Sequence, residues 1–393
     1  MEKQNILSRL SGFCTACLII LFGAGLILCT KGVSAAASNA IGLCCRVVIP
    51  SLFPFLVLSS LCLSTGVGEY LSRRMARTME LFFRLPGSCA PALVLGMIGG
   101  YPVGARTAFD LYDRRLCSRE EASRLLVFCS CCGPAFLCSA VGAAIFSSIK
   151  AGLLLWICHI AAALIIGLVQ GRFLPIPHRS SKATARLQHL PFARTFTQAV
   201  STSFQTMLNV CGFVIFFAAV MALLEEIGLF DTAARVLFFL PQGMADPLLR
   251  GLMEMTGGTA ALTHAHSLTF PQAMALASLI AGWGGFSVHA QVLSLREDRD
   301  IPMAPYFMGK TFHALLSAAL TYAASFYFLP DPSLHSAFAP MGELTEVTVI
   351  NPLYYVLVCG LYLVACLAFT TLVLWLEGRE EGKDGCQTER KTV

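Results

Sequence analysis

The sequence predicts an all-α polytopic membrane protein with about eight transmembrane helices and two re-entrant hairpins. Hydrophobic residues make up 56% of the 393 residues, charged residues only 13%, and the mean hydropathy is +0.70. A water-soluble chain needs about a quarter of charged residues to cover its surface. Soluble, disordered and nucleic-acid-binding classes are therefore excluded. The expected surroundings are membrane lipids, and no nucleic acid is expected as a partner.

Eight apolar runs are long enough to cross a bilayer, which takes roughly 20 apolar residues. Two shorter stretches, 87–105 and 247–262, contain Gly-Gly pairs and are predicted to enter and leave on the same side. The first run precedes Ser34-Ala35-Ala36-Ala37, which resembles a signal-peptidase site. Its apolar core exceeds the roughly 7–15 residues of a signal peptide, so a retained span is favoured. The eight runs are 12–30, 41–67, 125–149, 151–171, 208–224, 272–295, 305–330 and 352–376.

The basic residues predict the orientation of these spans. If the N-terminus is cytoplasmic, most of the 28 Lys and Arg residues fall on the cytoplasmic side, Lys310 among them. This distribution is what the positive-inside rule requires. Both termini are therefore predicted to be cytoplasmic in a multi-pass plasma-membrane protein. Spanning 87–105 in full would put the arginines of 106–124 outside, which the rule disfavours.

The two halves of the chain share three sequence blocks in the same order. The last block is a capping box, Ser or Thr followed by Glu or Gln three residues later, which starts a helix. Each capped helix then runs into a Gly-rich break. In the predicted topology the two copies begin with spans of opposite direction, so the repeat is predicted to be inverted. The paired blocks are 81–86 with 237–241, 96–100 with 254–258, and 118–122 with 269–273; the breaks are 132–134 and 282–285.

This repeat divides the chain into six segments. The two gate-like halves flank a basic linker that contains three prolines. The segments are an N-terminal membrane helix and outer loop (1–40), the first repeat (41–171), the cytoplasmic linker (172–194), the second, inverted repeat (195–330), an outer loop with the last membrane helix (331–376), and a charged cytoplasmic tail (377–393).

Inverted repeats with interrupted helices are a recurring architecture of secondary transporters, with the solute bound near the bilayer midplane. Broken helix ends expose backbone groups, which persist in a membrane only where protein or a wet cavity satisfies them. The glycines could instead serve close helix packing. Four breaks in two equivalent pairs favour a solute site. The candidate substrate-binding residues are Gly99, Gly100, Tyr101, Pro102, Ser130, Gly133, Glu254, Thr256, Gly257, Gly258, Gly284, Gly285, Ser287, His289 and Gln291.

Ionisable groups within a membrane are costly and mark functional sites by default. Glu254 and His289 are the candidates for holding a proton, provided that the broken elements of the second repeat meet at one cavity. The structural alternatives are an interfacial carboxylate for Glu254 and a buried, hydrogen-bonded imidazole for His289. The cysteines at 129, 131 and 132 lack the paired spacing of structural zinc sites, so no metal is expected. No enzyme motif, catalytic residue or cofactor site is found, and no enzymatic activity is predicted.

Three motifs together resemble the YlbJ family of sporulation integral membrane proteins. They are Gly99-Gly100-Tyr101-Pro102-Val103-Gly104-Ala105-Arg106, the helix start at 118–122, and Gly282-Trp283-Gly284-Gly285-Phe286-Ser287-Val288-His289-Ala290-Gln291. The family is built on the nucleoside-recognition or gate domain, which also occurs in concentrative nucleoside transporters and ferrous-iron transport proteins. The resemblance covers roughly 41–330. It implies a role in spore formation, in spore-cortex assembly, at the forespore or mother-cell membrane.

The leading functional hypothesis is a secondary transporter of a small solute that works by alternating access. A nucleoside-like molecule or a wall precursor is the expected class of solute, and a proton or a sodium ion the expected coupling ion. The alternative hypothesis is a non-transporting membrane scaffold in a spore-cortex assembly complex. A scaffold needs only close packing at the glycine breaks, whereas a carrier needs a cavity with polar groups. The oligomeric state stays open, with a homo-oligomer as one option.

Overall fold

The computed structural model describes residues 2–173 and 192–328, and within these ranges the secondary structure is entirely helical. The predicted last span 352–376, the outer loop 331–351, the tail 377–393 and most of the linker 172–194 lie outside the described residues. The all-helical polytopic fold is thus confirmed for the part of the chain that is described.

The first half contains eight α-helices and one long π-helical segment. A wide turn of π-helix also follows α2 at Cys44–Val48 and α4 at Met79–Phe83. The helices are α1 (Glu2–Leu28), α2 (Thr30–Leu43), α3 (Ile49–Ser64), α4 (Gly66–Thr78), α5 (Ala90–Gly99), α6 (Val103–Asp113), α7 (Arg119–Cys129), the π-helix Ala135–Ile145, and α8 (Ile149–Phe173).

The described residues of the second half, 192–328, form seven α-helices. They follow an order similar to that of the first half, with two short helices around a break, then a capped helix, then a helix of 25 residues that matches the length of α8. They are α9 (Phe192–Glu226), α10 (Leu229–Val236), α11 (Ala245–Met253), α12 (Met255–Ala261), α13 (Phe270–Trp283), α14 (Gly285–Arg296) and α15 (Ala304–Phe328).

Both predicted capping boxes are confirmed. The hydroxyl of Ser118 accepts a hydrogen bond from the backbone N–H of Glu121, whose carboxylate accepts the N–H of Ser118. Thr269 and Gln272 form the same reciprocal pair at the start of α13. Each box satisfies two backbone donors that a helix start leaves without partners. The two copies therefore begin their central helices with the same local chemistry.

Three to five segments of the described chain qualify as membrane spans by length and apolar composition, fewer than the seven predicted there. Three are continuous or nearly so: Ile149–Phe173, Phe192–Glu226 and Phe270–Arg296, the last of which comprises α13 and α14. Two more are pairs of helices bent at a break, by 92° near Cys29 and by 78° near Thr65. The predicted span 125–149 is wrong as a single helix, because α7 ends at Cys129 and a π-helix begins only at Ala135.

Segments that were assigned to one side of the membrane lie together at one end of the structure. The guanidinium of Arg299 forms two hydrogen bonds with the Asp113 carboxylate at 2.7 and 2.8 Å, and Arg119 pairs with Asp300 at 2.8 Å. The hydrogen bonds to Asp113 raise the pKa of Arg299 above its ordinary value. Phe146 and Phe270, assigned to the other side, contact each other with ring centroids 5.6 Å apart.

The core surrounds α13, in which every residue is buried. This helix carries no charged side chain and packs against α15, α8, α11 and α12. Its contact with α15 is close enough to require a residue without a side chain. A Cβ atom on Gly282 would lie 2.6 Å from the Cα of Ala314. The position of α13 therefore depends on small residues at this crossing, as is common between membrane helices.

A pair of identical substitutions tests this packing. We expect Gly282→Ala to destabilise the protein by about 1–3 kcal/mol, because the backbone of α15 must move to admit a methyl group. Gly212→Ala on α9 is the matched control, since nothing lies within 4 Å of the added Cβ there. Replacing a helical glycine with alanine in open space raises stability by roughly 0.5–1 kcal/mol. Thermal unfolding in detergent should thus shift in opposite directions for the two variants, and equal shifts would contradict the close crossing.

Candidate functional site

The first break separates α5 from α6 and lies where the sequence predicts it. α5 ends at Gly99, Gly100 has a φ of +79°, and α6 begins at Val103 after a cis Tyr101–Pro102 peptide. A Cβ on Gly100 would lie 2.7 Å from the backbone nitrogen of Gly133. The first break therefore touches the break that follows α7, and glycine is needed for both the backbone angle and the contact.

The corresponding break in the second repeat lies at Glu254, three residues before the predicted position. Gly257 and Gly258 were expected to turn the chain, but both lie inside α12. Glu254 is extended, with a φ of −151°, and its two carboxylate oxygens accept the N–H groups of Thr256 at 2.9 Å and Gly257 at 2.7 Å. A Cβ on Gly258 would lie 2.2 Å from the Cα of Gly251, so Gly258 serves the close packing of α12 on α11.

The fourth break lies between α13 and α14, as predicted. Gly284 and Gly285 both have positive φ angles, of +86° and +79°. The ideal Cβ position of Gly285 lies 2.9 Å from the Cα of Glu254, so the two breaks of the second repeat touch as those of the first repeat do. Each repeat thus contributes one pair of adjoining breaks.

A cavity of about 110 Å³ lies where the two pairs of breaks face each other. One water molecule needs about 10–15 Å³ of cavity volume, so this cavity has room for several waters or a small solute. Residues from three breaks and from α14 line its polar side, and residues of α3, α9 and the π-helix line its apolar side. The predicted site residues that line it are Gly99, Gly100, Tyr101, Gly133, Glu254, Thr256 and Gln291.

The other predicted site residues do not line this cavity. Pro102 lines a neighbouring space of about 10 Å³, together with Gln291 and Thr206. Ser287 is buried within α14 and accepts a hydrogen bond from the Gln291 amide at 3.5 Å. The remaining predicted residues that do not line it are Ser130, Gly257, Gly258, Gly284, Gly285 and His289.

The expected meeting of Glu254 and His289 at one cavity does not occur. Glu254 lines the cavity, whereas His289 is enclosed by aromatic rings on the far side of α14. Its Nδ1 lies 3.0 Å from the Tyr306 hydroxyl, and its ring lies 4.3 Å from that of Trp283 and 5.2 Å from that of Phe307. The carboxylate of Glu254 is occupied by two backbone donors. Its structural role is to cap α12 at the break.

A buried cationic residue beside the cavity was missed by the sequence analysis. Lys310 was counted among the cytoplasmic basic residues, but its side chain is fully buried in α15. Its Nζ donates hydrogen bonds to the Tyr101 hydroxyl, to the Ser130 carbonyl at 3.0 Å and to His313 Nδ1 at 3.1 Å. The available signal was an ionisable pair, Lys310 and His313, three residues apart in an apolar run and therefore on one helix face.

Next to Lys310, three side chains have the proximity of a metal site. The possible ligand atoms of Cys131, His159 and His313 lie within 4.8 Å of one another, and all three residues are buried. The imidazole lone pairs of the two histidines are already used, however. His313 Nδ1 accepts from Lys310, and His159 Nε2 accepts the N–H of Cys132 at 2.9 Å. A metal ion would have to break both bonds beside an ammonium group, so these residues do not fit one.

Arg106 anchors the first break to α9. It is buried, and its guanidinium donates to the Thr206 hydroxyl at 2.6 Å and to the Thr202 carbonyl at 3.3 Å. An ion pair with Asp110 at 3.9 Å supplies a nearby negative charge. The end of the motif at 99–106 therefore joins the broken helix to the longest helix of the second repeat.

Substitutions at Glu254 test its role as a helix cap. Glu254→Ala removes both acceptors and should lower stability by about 1–3 kcal/mol, whereas Glu254→Gln keeps one carbonyl oxygen and should lose less. Asp231→Ala, which removes an exposed carboxylate in the first turn of α10, is the control. The measurement is thermal unfolding of the purified protein, and a Glu254→Ala variant as stable as the wild type would contradict the capping role.

Comparison with known proteins confirms the resemblance found in the motifs. Residues 45–152 match the family model described as Gate: Nucleoside recognition. The sporulation integral membrane protein YlbJ of Bacillus subtilis (strain 168) is 29% identical over 356 residues, a match that covers 84% of this chain and 86% of the relative. No solved structure matches the chain.

Proposed function

We propose that this YlbJ-like integral membrane protein, with its Gate nucleoside-recognition domain, is a secondary transporter of a small neutral solute in sporulating cells. The observation that supports the proposal is the cavity between the facing helix breaks. Broken helices whose ends line a cavity are the arrangement in which transporters hold their solutes near the bilayer midplane. A protein that used these glycines only for packing would have no need for the space.

The lining of the cavity favours a neutral solute with both polar and apolar parts. Neither lysine nor arginine occurs among the described residues that line it, and the Glu254 carboxylate is engaged by backbone donors. Hydrogen-bonding groups are offered by Thr256 and Gln291, and an apolar wall by residues such as Leu52 and Phe55. Ligand sites commonly combine a few placed polar groups with an apolar surface. A nucleoside has this character, whereas a phosphorylated wall precursor would meet no cation here.

Alternating access would follow from the inverted repeat. The order α11–α12–α13–α15 corresponds to α5–α6–α7–α8, with equal lengths for α8 and α15 and capping boxes on α7 and α13. In carriers of this type one repeat rocks against the other around a fixed site. Arg299 and Asp113 join the two repeats at one end, where their ion pair would hold that end closed.

A ligand screen distinguishes the solute classes. Purified protein should show a rise in melting temperature with nucleosides that grows with nucleoside concentration, because a ligand that binds the folded state stabilises it by mass action. The corresponding nucleoside monophosphates and phosphorylated wall precursors should give no rise, since the cavity lacks a cationic side chain. Stabilisation by the phosphorylated compounds alone would contradict the assignment of a neutral solute.

Filling the cavity distinguishes the carrier from a non-transporting scaffold. Ala140 lines the cavity on the π-helix, and Ala144 lies one turn away on the exposed side. In cells whose own copy is replaced by the variant, Ala140→Phe should abolish spore formation at a normal membrane level of the protein. Ala144→Phe should preserve it. Normal spore formation with Ala140→Phe would favour the scaffold, because a scaffold does not use the cavity.

A further inference from the structure

The amine of Lys310 lies at the centre of a complete set of acceptors. An ammonium group has three N–H donors, and Nζ has three acceptors: the Tyr101 hydroxyl, the Ser130 carbonyl and His313 Nδ1. The acceptors come from the breaks after α5 and α7 and from α15 itself.

The directions of the surrounding hydrogen bonds favour a charged amine. The Tyr101 hydroxyl donates its proton to the Ala281 carbonyl at 3.2 Å, so its oxygen is free to accept from Lys310. His313 donates from Nε2 to the carbonyl of His159 at 2.8 Å, which leaves Nδ1 as an acceptor. A neutral amine has only two N–H groups and would turn a lone pair toward one of the three acceptors. The ammonium form donates to all three acceptors while Tyr101 keeps its bond to Ala281, whereas a neutral amine would need Tyr101 to donate to it instead.

The charge is balanced by helix ends and not by a carboxylate. None of the ion pairs formed by the described residues includes Lys310. α7 ends at Cys129, and Lys310 contacts the carbonyl of the next residue, Ser130. α13 ends at Trp283, and the carbonyls of the two residues before it accept from the Tyr101 hydroxyl. Helix C-termini carry partial negative charge and attract cations. In carriers with broken helices such ends coordinate the coupling ion.

We propose that Lys310 is a tethered cation that fills a monovalent-cation site built from helix C-termini, so that the protein binds no sodium ion there. The ammonium group supplies the positive charge that the converging carbonyl groups require, and it remains in place because it belongs to α15. The consequence for coupling rests on the transport proposed above: a carrier with a fixed cation at this position does not depend on a sodium gradient. The cation site itself does not depend on the transport of any solute.

Chemical rescue of a truncated lysine tests the site on the purified full chain. Lys310→Ala leaves a vacant space and three unpaired acceptors, and should lower the melting temperature by more than about 5 °C. Ammonium or methylammonium chloride should restore most of this loss, because each ion fits the space and donates N–H groups. Tetramethylammonium chloride at equal ionic strength should restore none, since it has no donor. Lys150→Ala, at an exposed lysine, should respond to none of these salts.

A second variant keeps the test decisive if the alanine variant does not fold. Lys310→Met fills the space without a charge or donor, so the proposal requires it to be less stable than the wild type and insensitive to ammonium. The wild type should melt at the same temperature in sodium, potassium and choline chloride. A methionine variant as stable as the wild type would overturn the proposal. So would a specific rise of the wild-type melting temperature in sodium, or equal rescue of Lys310→Ala by tetramethylammonium.

Discussion

The structure depends on one constraint: backbone groups at helix ends inside the membrane region must have partners. Four of the helix interruptions in the described chain lie in the interior of the protein, and each of the four is placed against another. Gly100 touches Gly133 in the first repeat, and Gly285 touches Glu254 in the second. Close contact between breaks limits the exposed backbone to a small region. Among the groups that remain, the Ser130 carbonyl accepts from Lys310 and the Cys132 N–H donates to His159.

Two side chains satisfy the broken ends in opposite ways. Glu254 is a carboxylate at a helix N-terminus, where it accepts two N–H groups of α12. Lys310 is a cation at a helix C-terminus, where it donates to the carbonyl that follows α7. Both placements agree with the helix dipole, which favours anions at N-termini and cations at C-termini. Two ionisable residues that are costly in an apolar core therefore stabilise its interruptions.

The sequence could predict those features that local chemistry determines. The capping boxes at Ser118 and Thr269 follow from residue types three positions apart, and the break at Gly100 follows from a Gly-Gly pair before a proline. The break at Glu254 could not be predicted, because Gly257 and Gly258 resemble a hinge and only the contact with Gly251 shows that they pack. Lys310 was counted with the cytoplasmic residues because charge counts along the chain do not show three acceptors from distant segments. Features that need long-range contacts were the ones missed.

Tyr101 joins the cavity to the charged network behind it. One side of this residue lines the cavity, while its hydroxyl accepts from Lys310 and donates to α13. A solute that displaced the Tyr101 ring would move its hydroxyl. The Lys310 ammonium group on α15 would then lose an acceptor, and the carbonyl near the end of α13 would lose a donor. Because α13 is buried along its whole length and crosses α15 at Gly282, neither helix could shift alone. Occupancy of the cavity would thereby be communicated to the central helices of the second repeat through a single phenol.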